Sequence, residues 1–134
     1  MITGLSVNLF VSDSEKAFAF YRKVYDARLI DDYFNLPLGE KNCRLKIGEF
    51  QFALADENIA WGSQSPLSRG GVSICIQLFL ENLDEVLEKA IAAGAKFTAP
   101  SSTAQPKFLH PDGFIFANVE DPFGHIWSLT ALSK

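Results

Sequence analysis

The sequence has little that would set it apart from an ordinary globular protein. It carries two cysteines, Cys43 and Cys75, each inside a strand-like alternating stretch and neither in a CxxC pair. That excludes a disulfide-dense scaffold and a thiolate zinc motif, and leaves two buried free thiols as the expectation. No apolar run approaches the roughly 20 residues needed to cross a bilayer. The N-terminus has no basic segment leading into an apolar stretch and a cleavage site, so a cytoplasmic protein without membrane contact is expected. The 12 Lys and Arg residues are scattered, and against 16 Asp and Glu they leave a net charge of −4. A chain with no basic patch has no electrostatic grip on phosphates, which argues against nucleic acid as a partner. What remains is 134 residues, 48% of them hydrophobic, enough for one domain with a real core spanning 1–134.

The chain is written twice. Val7 to Val11 (VNLFV) and Ile76 to Leu80 (IQLFL) match position by position at an offset of 69. Behind them, Ser12-Asp13-Ser14-Glu15 and Asn82-Leu83-Asp84-Glu85 each set a short polar side chain three residues before a glutamate. This spacing predicts helix starts in which the first free N–H groups find acceptors and the glutamate reaches back. Apolar residues then recur at helical period: Ala17, Phe20, Tyr21 and Val24, and again Leu83, Val86, Leu87 and Ala90. The first helix is expected to end near Asp26-Ala27. The second ends at Gly94, which suits a left-handed cap.

Strand-like runs follow each helix. They are Leu29 to Phe34, Cys43 to Ile47 and Phe50 to Ala55 in the first half, and Ala95 to Ala99, Phe114 to Val119 and His125 to Thr130 in the second. Gly48-Glu49 fits a two-residue hairpin, and His110-Pro111-Asp112-Gly113 and Asp121-Pro122-Phe123-Gly124 fit type I turns. The result is an α+β chain of two βαβββ modules, about 1–57 and about 72–134, joined by a Gly-, Ser- and Pro-rich linker over 58–71. Pro100 to Pro106 reads as a surface connection.

Successive side chains of a strand point to opposite faces, so each strand divides into two rows. Val7, Leu9 and Val11 form an apolar row, as do Ile74, Ile76, Leu78 and Leu80, and these are expected to meet the helices. The opposite rows are mixed: Ser6, Asn8 and Phe10, then Cys75, Gln77 and Phe79, with Ser128 mid-strand near the end of the chain. Aromatic walls with a few neutral polar groups are what a small-molecule site needs. Exposing Phe10 and Phe79 at matching positions would be costly without a ligand, a partner subunit or a covering loop.

The segment VNLFVSDSEKAFAFYRKVYDA, its repeat IQLFLENLDEVLEKAIAAGAKF and the ending DPFGHIWSL resemble the vicinal oxygen chelate superfamily of glyoxalases, bleomycin-resistance proteins and extradiol dioxygenases. The resemblance implies two modules forming a curved mixed sheet around a cleft. It also implies, in the enzymes, a divalent metal held there by His, Glu or Gln, and dimers among the relatives. Carried onto this chain, ligand positions fall on Ser6, Cys75 and Ser128, with a fourth on the strand Phe50 to Ala55, which contains no His and no carboxylate. Two hydroxyls and one thiol do not make a site for zinc or a hard cation, so no metal and no cofactor are expected.

His110 and His125 do not rescue such a site. With Asp112, Glu120 or Asp121 they show no ligand spacing, and they read as structural or surface histidines. Cys75 lacks a visible base or helix N-terminus to activate it, and reads as a small buried thiol. Arg44 and Arg69 read as solvated, and Trp61 as an anchor for the linker. The resulting expectation is a metal-free small-molecule-binding protein of bleomycin-resistance type, acting as a homodimer with Ser6, Asn8, Phe10, Cys75, Gln77, Phe79 and Ser128 facing the ligand. The alternatives are a glyoxalase-like lyase or isomerase with an unrecognised metal or metal-independent chemistry, and a dimerisation or interaction module without a catalytic site.

Overall fold

In the computed structural model, which describes residues 1–33 and 41–132, the chain separates into two compact units, Met1–Arg69 and Gly70–Lys134. The first runs β1 (Asn8–Val11), α1 (Ser14–Tyr25), β2 (Arg28–Tyr33), β3 (Asn42–Ile47), β4 (Phe50–Asp56), a 3₁₀ turn (Ile59–Trp61) and α2 (Pro66–Arg69). Its sheet has the order β1-β4-β3-β2, with β1 parallel to β4 and the other pairs antiparallel. The second runs β5 (Cys75–Phe79), α3 (Leu83–Ala92), β6 (Lys96–Phe97), β7 (Phe108–Leu109), β8 (Phe114–Glu120) and β9 (Ile126–Leu132). Its order is β5-β9-β8-β6, with β7 also on β8 and β5 parallel to β9. Both units lay their first strand beside their last, so the repeat read in the sequence is a repeat of topology. No helix among the described residues is long and apolar enough to cross a membrane.

Each helix buries one face against its own sheet. In the first unit Ala17, Tyr21 and Val24 of α1 meet Leu9, Val11, Cys43, Leu45 and Leu54, all buried. In the second, Leu83, Val86, Leu87 and Ala90 of α3 lie over a sheet face that includes the buried Ala117, Val119, Trp127 and Leu129. Burying each large apolar side chain contributes on the order of 2 kcal/mol.

The first helix begins one residue later than the Ser12–Glu15 spacing predicts. Asp13 is the N-cap, and its carboxylate accepts the Lys16 N–H at 3.0 Å. The reason lies outside the helix: Glu15 is drawn away to Lys41 at 2.6 Å. The Ser14 N–H finds Asp56, at the end of β4, at 2.8 Å. In the second helix the Asn82 side chain caps no backbone group, and its amide donates to Glu85 at 3.1 Å.

Other expectations shift at their edges. The strand expected over Ala95 to Ala99 shrinks to Lys96–Phe97, because the Ala95 N–H turns back to the carbonyl of Ala90 and a turn follows in which Ser101 N–H donates to Thr98. The expected end of β2 at Phe34 lies outside the described residues. The linker is structured: Ser65, fully buried, donates its N–H to Glu57 at 3.0 Å and its hydroxyl accepts the Ser68 N–H at the start of α2. Trp61 is 65% exposed and does not anchor that segment within its own unit. Ile74 is half in solvent rather than under α3, because it lies before β5 begins.

Candidate ligand-binding face

The helix-free face of the second unit is built by alternation. In β5, Ile76 and Leu78 form the more buried row, which leaves Cys75, Gln77 and Phe79 on the opposite side. Pairing extends that row across the sheet: Gln77 lies opposite Ser128 and Phe79 opposite Thr130. Asn118 and Phe116 of β8 in turn lie opposite Ser128 and Thr130, and Phe114 opposite Leu132. Phe108 of β7 continues the row beside Phe116.

Aromatic rings dominate this face. Phe79 and Phe114 meet edge to face with centroids 5.7 Å apart, while Phe108 stacks on Phe116 at 5.9 Å and His110 sits 6.5 Å from Phe116. Between the rings lies a short polar line. Gln77 Nε2 donates to Thr130 Oγ1 at 3.3 Å, and Thr130 Oγ1 donates to the Ser128 carbonyl at 3.3 Å. Asn118 is fixed by its N–H, which donates to Ser101 Oγ at 2.8 Å, and its side-chain Oδ1 is buried without a partner. At the end of β5 the rings open into a depression of about 440 Å³ lined by Phe79, Leu80, Glu81, Phe114, Thr130 and Leu132. That volume suits a small organic molecule.

Cys75 is exposed, not buried as the sequence suggests; only Cys43 is a core thiol. Cys75 is the first residue of the edge strand β5, on the side away from α3, where cover within its unit is least. Partial desolvation still pushes the Cys75 thiol above its ordinary pKa, and a backbone hydrogen bond from Ser128 works the other way. His125 is buried and shares the core side of β9 with Trp127, whereas His110 is exposed and lies 2.8 Å from Asp112. Both are placed as structural or surface groups.

The seven predicted site residues divide between the units. Cys75, Gln77, Phe79 and Ser128 share the face just described. In the first unit Asn8 and Phe10 share a row with Ala53, Ala55, Asn42 and Arg44. Ser6 is exposed and precedes β1, since pairing with β4 starts at Asn8 and reaches back only to the Val7 carbonyl. Phe108, Phe114, Phe116 and Thr130 were missed. Strand alternation over Phe114 to Val119 puts Phe114 and Phe116 on one side, the signal in the sequence that points to them.

The sequence profile described as the glyoxalase/bleomycin resistance protein/dioxygenase superfamily matches residues 5–129. The chain belongs to that superfamily. This superfamily member is 34% identical over 130 residues to the uncharacterized protein Mb0911c of Mycobacterium bovis, with 94% of this chain and 81% of the relative covered. Among solved structures, a superfamily enzyme from Burkholderia phytofirmans aligns with a TM-score of 0.73 at 18% identity, over 95% of this chain and 96% of that one. The fosfomycin resistance protein FosX of Listeria monocytogenes, in complex with Mn(II) and sulfate, aligns with a TM-score of 0.71 at 20% identity, over 98% and 93%. At these identities the structures establish the fold of this superfamily member.

Pairing supplies the ligand position that the sequence left open. Asn8 lies opposite Ala53 as Gln77 lies opposite Ser128, so Ala53 holds in the first unit the place of Ser128 in the second. The positions that the resemblance implies are thus Ser6 and Ala53 in the first unit, and Cys75 and Ser128 in the second. Among the described residues, no three His, Cys, Asp or Glu side chains are grouped so as to hold a metal ion.

Proposed function

We propose that this superfamily member binds a small, partly aromatic molecule on its helix-free sheet faces, as a metal-free protein of bleomycin-resistance type working as a cytoplasmic homodimer. The observation that carries this is the depression beside Phe79 and Phe114, where two apolar rings flank the neutral polar line of Gln77, Thr130 and Ser128. Apolar walls supply affinity there and the sparse hydrogen-bonding groups fix orientation.

The ligand positions that the family resemblance implies do not suit a divalent cation in either unit: Ser6 and Ala53 in the first, and Cys75 and Ser128 in the second, offer no imidazole and no carboxylate. Two hydroxyls, one methyl group and a single thiol supply neither the imidazoles nor the carboxylates that zinc or a hard cation needs. Binding and sequestration need none of the Lewis acidity that a metal supplies. The test is a calorimetric titration of the untagged protein with Zn(II), Ni(II) and Mn(II). No heat beyond dilution is the expected result. Stoichiometric binding at sub-micromolar affinity would overturn the metal-free reading and bring glyoxalase-like lyase chemistry forward.

A further inference from the structure

We infer that the ligand of the Phe79–Phe114 depression is an organic cation, an aromatic ring carrying an ammonium group, with Glu81 as its counter-ion. The inference rests on the small-molecule reading above and adds the charge of the molecule. Glu81 is the second residue beyond the end of β5. It lines the aromatic depression and also a neighbouring one of about 380 Å³, formed with Asn82, Asp84, Glu85, Lys107 and Leu132.

The other charges at this end of the sheet are committed. Asp84 is held by Lys107 at 2.6 Å, and Glu85 by Lys89 at 3.3 Å. Glu81 forms no ion pair with any described residue, and no described Lys or Arg lines the aromatic depression. A ring entering beside Phe79 and Phe114 therefore meets one uncompensated carboxylate at the rim. The faces of those two rings are themselves attractive to a cation. An anionic ligand would meet repulsion from Glu81 with no basic side chain to offset it.

The experiment titrates the ¹⁵N-labelled full chain with phenethylamine, 3-phenylpropanol and 3-phenylpropionate, following backbone amide shifts by NMR. Phenethylamine is expected to shift the amides of Phe79, Glu81, Phe114 and Leu132 with the highest affinity of the three. Glu81→Gln should weaken phenethylamine at least fivefold while leaving 3-phenylpropanol unchanged. Phe79→Ala should weaken both, in a chain whose dispersed spectrum shows that it is folded. If 3-phenylpropanol binds as tightly as phenethylamine and Glu81→Gln changes neither, the cation assignment falls and the aromatic-ligand reading stands. If no probe shifts these amides, both fall.

Discussion

Asp121 shows how much a single side chain holds in this fold. It is 2% exposed, and its Oδ1 accepts the N–H groups of Phe123 at 2.9 Å and His125 at 3.0 Å, while Oδ2 accepts Trp127 Nε1 at 2.9 Å. One carboxylate thus closes the turn before β9 and fixes the largest buried side chain of the second unit's core. Asp121→Ala would leave three buried donors without that acceptor, a loss of about 3–5 kcal/mol by analogy with breaking buried charged partners. Set against a total stability of roughly 5–15 kcal/mol for a domain, that is severe. Asp121→Asn should cost less, since one amide oxygen still serves the turn, but its NH₂ would face the Trp127 donor. Urea unfolding of the three proteins checks the order; equal midpoints would refute it. The sequence shows this turn through its Pro and Gly. The carboxylate's reach to Trp127 is not legible there, because it depends on how β9 leaves the turn. Cys75 failed for a related reason: alternation assigns a face, but not whether anything covers it.

At the scale of elements, the helices were legible because the apolar period carried them even where the N-caps differ from the spacing, and their ends make quantitative predictions. Asp13→Ala removes the side-chain acceptor of the Lys16 N–H at the α1 N-cap and should cost about 1 kcal/mol. At the other end Asp26 sits in the left-handed region, φ 55° and ψ 33°, where the second helix is followed by Gly94. An L side chain is disfavoured there by roughly 1–2 kcal/mol, so Asp26→Gly should raise stability, by less than that because glycine also adds freedom to the unfolded chain. Urea midpoints moving in opposite directions at constant m would bear out both; a fall with Asp26→Gly would contradict the strain argument. The elements that escaped the sequence are short. Phe108–Leu109 is set by pairing with Phe116 and Ile115 across the turn at His110–Gly113, and Pro66–Arg69 by Ser65 and its bond to Glu57; two to four residues carry no period of their own.

At the scale of the molecule, the repeat made the topology readable, because two copies of one pattern constrain each other. The proposed homodimer draws on a different feature. Several large apolar side chains stand in solvent in both units, among them Ile2, Leu5 and Phe50 in the first and Ile74, Phe79 and Leu109 in the second. The outermost strands β1, β2, β5 and β6 also end the hydrogen-bonded order of their sheets. Apolar surface of this kind beside open strand edges is what a second subunit covers. Light scattering on the eluting peak should therefore give close to twice 14.8 kDa. The thermal midpoint should rise with protein concentration, since association stabilises the native state by mass action. Phe79→Ala separates assembly from ligand binding. If Phe79 serves the ligand, the variant keeps the dimer mass and loses affinity for phenethylamine. If it serves the subunit contact, the mass falls toward the monomer. A wild-type chain that elutes as a monomer at every concentration, with a constant midpoint, would remove the homodimer and require a ligand to account for Phe79 alone.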